Sequence, residues 1–395
     1  MKNSMQVLSL SYAQELFVDT NKALGDTLAR SMGYSAYLDY YAMIIHTLKK
    51  TGYRTRLLTD SFVAIPTNGL NRMHSLMKMY TLASGICAAH HIDLIQSQDP
   101  IFTGFIAYLL KKRYRIPINV CLYGGNIYDP HWLKQKLIYR ICAGTGKLIL
   151  KKADGIQVEG SLIKESLISH QLDPDKISVK PMVPHNLDNF IHANGEEVRK
   201  KLLANTYEHI VLFVGRLIKE KNLVPFLGAM KLVFEHLPRT LLVIIGDGSE
   251  RITLHNTAEK LSILKNIHWM THIAHSELPQ YYRAADIFVL FSVSEGFPRV
   301  LMEAAAAGLP IISSRISGST DAISDGKTGY IVRIDDAADF VQKIEYLLQN
   351  IQLRKQMSLA APQFIKKIGT FDENISKQIL IWEKISGAMH SHLAK

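Results

Sequence analysis

Cysteine is scarce in this sequence, and long hydrophobic runs are absent from it. Cys87, Cys121 and Cys142 are an odd number at wide spacing, which offers neither a disulfide framework nor a C-x-x-C metal or redox motif. Nowhere do about 18 apolar residues run together, and Gln14 and Glu15 interrupt the N-terminal stretch. We therefore expect a protein of the reducing cytosol, with neither a secretion signal nor a membrane span.

Acidic residues are outnumbered, and the basic excess is uneven. Lys plus Arg minus Asp plus Glu is 46 − 35 = +11, and between residues 111 and 152 Asp129 is the single acid. Interleaved with aliphatic and aromatic residues, this run favours a surface drawn to anionic lipid headgroups, or to an anionic acceptor, at the inner face of the membrane. A solvated charged face is the alternative, and no zinc finger, aromatic ribonucleoprotein motif or basic-region heptad supports nucleic acid. The run has ten basic residues: Lys111, Lys112, Arg113, Arg115, Lys134, Lys136, Arg140, Lys147, Lys151 and Lys152.

The chain is too long for a single hydrophobic core. At 395 residues, with 47% hydrophobic and 21% charged residues, it is typical of a folded protein with two domains and a cleft between them. Apolar runs of strand length alternate with helical patterns, which indicates parallel sheets buried on both faces. The fold class is therefore α/β, with two doubly wound Rossmann-like domains. We expect an N-terminal Rossmann-like domain at residues 1–187, a C-terminal Rossmann-like domain at 188–370, and a helix at 371–395 that packs back on the first domain.

Nine runs are the strand candidates. Each is a short Val/Ile/Leu-rich stretch bounded by glycine or polar residues. They lie at residues 6–12, 93–98, 117–123, 155–160, 209–215, 240–246, 286–292, 310–315 and 328–332.

Cationic residues follow the strand at 209–215. In open parallel sheets ligands bind beyond the carboxyl ends of the strands. Arg216 comes directly after Gly215, and Lys221 follows near the start of a helix. A guanidinium fork and a compact ammonium together suit a diphosphate. The alternative is a pair of surface cations, with Arg216 paired to Glu220.

Glycines follow the strand at 240–246. Gly246, Asp247 and Gly248 could admit a phosphate or a ring close to the backbone, although Arg251 stands where the dinucleotide fingerprint has its third glycine. The alternative is that these glycines only make a tight turn.

The stretch SVSEGFPRVLMEAAAAGLP, residues 292–310, predicts a short helix with carboxylates at two depths. Pro298 suits the first position of a helix and Gly308 its end. The amides near Arg299 and Val300, together with the helix dipole, make a phosphate site. Glu295 precedes this helix, and Glu303 lies about one and a half turns inside it at ~3.6 residues per turn. A carboxylate can accept two hydroxyl groups, so Glu303 suits ribose and Glu295 the transferred sugar; the alternative pairs both with Arg299 and Arg315.

These motifs carry a resemblance to a known family. The strings G-R-L-x-x-x-K, G-D-G, S-x-x-E-G-F-P-x-V-L-M-E-A-x-A-x-G-L-P and I-S-D-G-K-T-G resemble the carboxyl-terminal domain of retaining glycosyltransferases of family 4, which have the GT-B fold. The similarity covers most of residues 209–335 and, more loosely, 93–190. It implies a transferase that moves a sugar from a nucleoside-diphosphate sugar to a glycan or lipid-linked acceptor in polysaccharide or glycolipid biosynthesis, with no other cofactor. The resemblance does not decide whether the nucleotide of the donor is UDP or GDP.

The resemblance also implies roles for particular residues. Arg216 and Lys221 would bind the donor diphosphate, Glu303 the ribose and Glu295 the donor sugar. Same-face attack, assisted by the departing phosphate, would retain the anomeric configuration. Other donor contacts would come from the strand-end glycines, the base-binding loop and the start of the helix: Gly215, Gly246, Asp247, Gly248, Thr271, His272, Ile273, Gly296, Phe297, Pro298, Arg299 and Val300.

The first domain departs from the family pattern. Where the family usually places a histidine after the strand at 117–123, this chain has Tyr123 followed by Gly124, and residues 11–26 lack the usual Gly-Gly pair. Asp99 is a candidate acceptor contact or, alternatively, a loop cap. Two rival functions remain: a non-catalytic partner subunit with a decayed donor site, and a nucleotide-sugar epimerase.

No metal site is expected. The pair Asp335–Asp336 has no helpful context, and His272-x-x-His275 lacks a further ligand. Fixed cations at the diphosphate would take the place of a metal ion.

Overall fold

The computed structural model describes residues 3–18, 26–123, 127–129, 133, 137–271 and 273–387. These residues form two compact units, each built on its own sheet. Unit 1 comprises Met1–Glu159, Ile163–Pro181 and Phe371–Lys395, and unit 2 comprises Gly160–Leu162 and Met182–Thr370.

The sheet of unit 1 has eight strands. They are β1 Asn3–Ser11, β2 Leu38–Ile45, β3 Arg56–Thr59, β4 Phe62–Pro66, β5 Leu94–Ser97, β6 Ile118–Leu122, β7 Gly155–Val158 and β8 Ile177–Val179. Their spatial order is β3-β4-β2-β1-β5-β6-β7-β8. All neighbours pair in parallel except β3 and β4, which form an antiparallel hairpin at one edge.

Helices cover both faces of this sheet because successive strand residues point to opposite sides. Val7 of β1 packs with Ile375 and Trp382 of the last helix, whereas Leu8 packs with Ile106 and other residues of the opposite layer. The last helix thus belongs to unit 1, where Gln378 and Trp382 bond to side chains of the sheet. The helices are Thr27–Ser35, Arg72–Ala89, Thr103–Tyr114, Leu137–Lys152, Ser161–Ser169 and Phe371–Ser386, with short 3-10 turns at Gln14–Phe17, Lys49–Thr51 and Pro174–Lys176.

The sheet of unit 2 has six parallel strands. They are β9 His209–Val214, β10 Thr240–Ile245, β11 Ile267–Met270, β12 Ile287–Leu290, β13 Ile311–Ser314 and β14 Gly329–Val332. The order is β11-β10-β9-β12-β13-β14. It therefore reverses between β9 and β12, the topological switch point at which doubly wound sheets bind ligands.

The helices of unit 2 connect these parallel strands. None of the helices in the described part of either unit is long and apolar enough to cross a membrane. Those of unit 2 are Leu187–His192, Glu196–Leu203, Leu223–His236, Arg251–Lys260, Leu278–Ala284, Arg299–Ala306, Ser319–Ala322, Ala337–Gln349 and Ile351–Lys366, with 3-10 turns at Lys219–Lys221 and Leu264–Asn266.

Candidate functional site

The segments that leave β9 and β12 meet at the switch point of unit 2. Arg216 follows β9, and the loop after β12 leads to Glu295. The amide of Val293 in that loop donates to the carbonyl of Glu220 at 2.9 Å, which ties the loop to the 3-10 turn after β9. Two of the segments predicted from the sequence therefore lie at one edge of one sheet.

Two glycines allow the turns after β9 and β10 to pack against each other. Gly246 has a φ of +152°, and a Cβ atom built on it would lie 1.9 Å from the carbonyl oxygen of Gly215. A Cβ atom on Gly248 would lie 2.3 Å from the carbonyl oxygen of Leu217. The two turns are also hydrogen-bonded, because the amide of Leu217 donates to the carbonyl of Asp247 at 2.9 Å. These glycines therefore allow a tight turn, which the sequence suggested as the alternative to a ligand contact.

Lys221 and Glu295 form a largely buried ion pair. The distance between Lys221 Nζ and Glu295 Oε1 is 2.5 Å, and the side chains are 10% and 17% exposed. The ammonium lies beside Gly215, since a Cβ atom built there would be 3.7 Å from Nζ. Glu295 therefore pairs with Lys221, a partner that the sequence did not indicate, rather than with Arg299 or Arg315.

Arg216 is an exposed cation directly after β9. Its side chain faces solvent, and within the described ranges it forms no ion pair, so the alternative pairing with Glu220 does not occur. An exposed guanidinium next to a buried ammonium leaves one cation directly available to an anionic ligand.

The helix Arg299–Ala306 follows Glu295 in the chain, and its N-cap residue supplies no side-chain cap. Pro298 occupies the N-cap position and has no side chain that could accept a hydrogen bond from the first turn. Gly318, with a φ of +81°, allows Phe297 to pack closely, because a Cβ atom on it would lie 2.8 Å from the Phe297 ring. The residues Phe297 and Gly296 are buried, so the start of the helix is fixed against its surroundings.

Glu303 is held by Tyr282. The hydroxyl of Tyr282 donates to Glu303 Oε2 at 2.9 Å, and both side chains are buried. Burial, and then the adjacent Glu303 carboxylate, raise the pKa of Tyr282 well above its ordinary value. Tyr282 is itself fixed, since its ring stacks on Phe288 and meets Phe190 edge-on. This contact orients one oxygen of the carboxylate.

Part of the predicted base-binding loop is visible. Thr271 and Ile273 are half-buried and follow β11 at the edge of the sheet, and His272 lies outside the described residues. Nearby, the rings of His275 and Phe190 meet edge-on.

The candidates in unit 1 are engaged within that unit. The carboxylate of Asp99 accepts the amides of Ile101, Phe102 and Thr103, the Thr103 hydroxyl and, at 3.0 Å, the Tyr12 hydroxyl. Such a carboxylate is a helix cap.

Tyr123 is also hydrogen-bonded within unit 1, because its hydroxyl accepts a hydrogen bond from Gln157 Nε2 at 3.3 Å. Burial raises the pKa of Tyr123 well above its ordinary value. Gly124 lies outside the described residues.

Among the described residues, no group of three or more His, Cys, Asp or Glu side chains is arranged to hold a metal ion.

Comparison with known proteins decides the family. The family model described as glycosyl transferases group 1 matches residues 194–364, which include β9 to β14 and the whole switch point. The chain belongs to that family. Its enzyme class, predicted from the sequence as a glycosyltransferase, is thereby confirmed. This glycosyltransferase is 28% identical over 333 residues to the D-inositol 3-phosphate glycosyltransferase of Corynebacterium aurimucosum, with 78% of this chain and 76% of that protein covered.

Solved structures establish the fold. The sucrose-phosphate synthase of Thermosynechococcus elongatus superimposes with a TM-score of 0.80 at 18% identity, covering 97% of this glycosyltransferase and 100% of that chain. HepE of Anabaena, in complex with UDP, gives a TM-score of 0.74 at 16% identity, with 97% and 100% covered. The fold class predicted from the sequence is confirmed.

Two structural residues of the site were missed from the sequence. Tyr282 lies 21 positions before Glu303, and Gly318 lies 21 positions after Phe297. Neither belongs to a motif with a recognised spacing, so no signal in the sequence pointed to them.

Proposed function

We propose that this glycosyltransferase transfers a sugar from a nucleoside-diphosphate sugar to a glycan or lipid-linked acceptor, with retention of the anomeric configuration. The observation that carries the proposal is the Lys221–Glu295 pair at the switch point, where a cation and a carboxylate lie 2.5 Å apart beside Gly215. A donor has the matching parts: a diphosphate for the cation and a polyhydroxyl sugar for the carboxylate. The activity belongs to polysaccharide or glycolipid biosynthesis.

The donor diphosphate would be bound by three groups. Arg216 is exposed, Lys221 lies within the same turn, and the first amides of the helix Arg299–Ala306 lack a side-chain cap. Negative charge grows on the leaving diphosphate as the glycosidic bond breaks, so fixed positive groups there stabilise the transition state more than the ground state. These groups supply the charge that a metal ion would otherwise provide, and we propose catalysis without a metal or another cofactor.

The remaining roles follow the shape of the donor. Glu295 would accept hydroxyls of the transferred sugar, and its salt bridge to Lys221 orients it. Glu303, oriented by the Tyr282 hydroxyl, would accept a hydrogen bond from the ribose. The glycine turns Gly215 and Gly246–Gly248 let the backbone approach the ligand, and the loop 271–273 would face the base.

Retention would proceed by attack on the face from which the diphosphate leaves. The acceptor hydroxyl forms the new bond to the anomeric carbon, the bond to the diphosphate oxygen breaks, and a departing phosphate oxygen takes the acceptor proton. The step is balanced and needs no covalent nucleophile from the chain.

The identity of the ligands is narrowed by the named relatives. HepE of Anabaena was solved with UDP, which favours UDP over GDP as the donor nucleotide. A curated relative is named for a phosphorylated polyol, D-inositol 3-phosphate, and this supports an anionic acceptor. The basic run at 111–152 favours an acceptor at the inner, cytoplasmic face of a membrane, with the enzyme bound there peripherally and no nucleic acid as partner.

A donor panel tests the proposal. UDP-sugars and GDP-sugars are incubated with the protein, and release of nucleoside diphosphate is measured by coupled assay without acceptor. Slow release that Glu295→Gln reduces at least tenfold, and that Glu235→Gln on an exposed helix face leaves unchanged, supports the transferase. An altered nucleotide sugar without release would indicate an epimerase, and neither binding nor release would indicate a non-catalytic subunit; either result refutes the proposal.

A further inference from the structure

The outward side of the helix Leu137–Lys152 is apolar, the reverse of an ordinary water-facing helix. Its exposed residues recur every three or four positions, and Leu137, Ile141 and Leu148 are 71%, 61% and 53% exposed. Gly144 continues the same line of exposed residues. The buried side of the helix, with Ile149, packs on the sheet, so these residues face away from the core.

The neighbouring helix Thr103–Tyr114 extends this surface. Phe102, Phe105 and Leu109 lie three and four residues apart and are 48%, 45% and 36% exposed. The two helices are in contact, since a Cβ atom on Gly104 would lie 3.2 Å from Ile149. We call the six exposed residues of the two helices the apolar face of unit 1: Phe102, Phe105, Leu109, Leu137, Ile141 and Leu148.

The charge around the apolar face has one sign. Residues 103–115 and 137–152 carry four basic residues each and no Asp or Glu. Lys111 Nζ donates to the carbonyl of Lys152 at 3.0 Å, so the carboxyl ends of the two helices meet. Lys112, Arg113, Lys151 and Lys152 are exposed at that end, and Arg140 is exposed near the start of the helix Leu137–Lys152. The surface therefore combines apolar and basic side chains, with most of the exposed cations at one end.

We propose that the apolar face of unit 1 docks on a bilayer that contains anionic phospholipid. The inference rests on the proposed function and names its partner. Apolar side chains insert at the boundary between headgroups and acyl chains, and the cations bind lipid phosphates, which is the composition of helices that lie in a membrane interface. A second copy of the chain fits less well, because two such surfaces would bring eight basic residues against eight.

The geometry connects this surface to the acceptor. The helix Thr103–Tyr114 begins shortly after β5 ends at Ser97, so Phe102 lies toward the sheet edge where open sheets bind ligands. The basic cluster lies at the opposite end of the helices. An acceptor anchored in the bilayer would therefore reach that edge with its polar head while its hydrocarbon remains in the membrane.

Vesicle flotation tests the proposal with the full chain and without nucleotide sugar. Vesicles of phosphatidylcholine alone are compared with vesicles containing roughly 30% phosphatidylglycerol, an anionic content sufficient to attract basic segments. The wild type should float with the anionic vesicles and remain in solution with the neutral ones. Ile141→Gln combined with Leu148→Gln should reduce the bound fraction at least tenfold, and Lys151→Ala combined with Lys152→Ala about as much. The matched control, Ile252→Gln with Leu359→Gln, alters residues of unit 2 that are 76% and 73% exposed and should leave binding unchanged.

The outcomes separate this inference from the proposed function. Wild-type protein that floats with anionic vesicles but releases no nucleoside diphosphate in buffer supports the membrane surface and refutes the transferase. Protein that releases nucleoside diphosphate but does not bind anionic vesicles supports the transferase and refutes the membrane surface. Equal binding of the wild type and the 141/148 variant overturns the proposal. So does a wild-type dimer in light scattering that the same variant dissociates, since a second copy would then be the occupant. Retained stabilisation by UDP shows that each variant is folded.

Discussion

The hydroxyl of Tyr282 donates to Glu303 Oε2 at 2.9 Å, inside a cluster closed by Phe190 and Phe288. A buried carboxylate without donors is costly, and the Tyr282 hydroxyl supplies one of the hydrogen bonds that hold Glu303. Tyr282 is thus a positioning residue for the proposed ribose contact.

Removing the Tyr282 hydroxyl should weaken recognition of ribose specifically. Tyr282→Phe is expected to lower the affinity for UDP about tenfold, the equivalent of ~1.4 kcal/mol, because Glu303 loses its orienting bond. The affinity for 2′,3′-dideoxy-UDP should hardly change. Calorimetric titration measures both. Tyr281→Phe, at the half-buried neighbouring position, is the control, and an equal loss for both nucleotides would reduce Tyr282 to a structural role.

The ion pair at the switch point makes a prediction for stability without ligand. Lys221→Met should lower the free energy of unfolding by about 3 kcal/mol, because Glu295 would remain buried without a partner. The double variant Lys221→Met/Glu295→Gln should recover most of that loss. Urea unfolding measures the cycle. Lys231→Met, which breaks the exposed Lys231–Glu235 pair at 3.7 Å, should cost less than about 1 kcal/mol. Additive losses in the double variant would mean that the pair is not coupled.

The turn after β10 predicts a strict requirement for glycine. Gly246→Ala would place a Cβ atom 1.9 Å from the Gly215 carbonyl oxygen, so the backbone must shift and we expect a loss of about 3 kcal/mol or more. Gly228→Ala is the matched control. Nothing lies within 4 Å of a Cβ atom there, and this helical position should gain up to about 1 kcal/mol. Thermal and urea unfolding report both changes, and a tolerated Gly246→Ala would contradict the packing described.

Lys180 predicts a pH dependence of stability in unit 1. Burial, followed by the nearby Arg30, holds the pKa of Lys180 well below its ordinary value, and its Nζ lies 3.1 Å from the Tyr34 hydroxyl. Between the lowered pKa of Lys180 in the folded chain and its ordinary pKa of ~10.4 in the unfolded chain, the folded chain binds fewer protons, and the penalty shrinks as the pH rises through that window.

The Lys180→Met variant isolates this effect. It should be more stable than the wild type at pH 7, and its advantage should diminish steadily between pH 7 and 9.5. Urea unfolding at several pH values measures the difference between the two proteins, with the exposed Lys265→Met as control. A constant difference across that range would show that Lys180 keeps an ordinary pKa.

The sequence predicts unit 2 better than unit 1 for a physical reason. The strands β9, β10 and β12 are largely continuous apolar runs, and Pro298 with Gly308 marks the helix Arg299–Ala306 to within one residue. In unit 1, β2 carries Asp39 and two tyrosines, β3 is polar at both ends, and β8 has only three residues, so these strands lack the apolar run of a buried parallel strand, whereas β4 is an apolar run that was missed. In unit 2, β11 was missed for the same reason, because its apolar residues are interrupted by His268.

The site divides in a similar way. Residue types after a strand can be read from the sequence, which is why Arg216, Lys221, Glu295 and Glu303 were singled out. Their partners could not be read, because Lys221 and Glu295 are 74 residues apart and the pairing depends on the strand order. For Asp99, the position after β5 suggested a ligand contact. In the structure its carboxylate instead accepts hydrogen bonds from five donors, including amides at the start of the following helix.

The most direct test of the account is a titration of UDP and of uridine against the wild type and Arg216→Ala, with Lys219→Ala, an exposed cation of the same turn, as control. If one diphosphate binds at the switch point, Arg216→Ala should weaken UDP binding about thirtyfold, or ~2 kcal/mol, and leave uridine binding unchanged, while Lys219→Ala behaves as the wild type. Undiminished UDP affinity in Arg216→Ala would contradict the account.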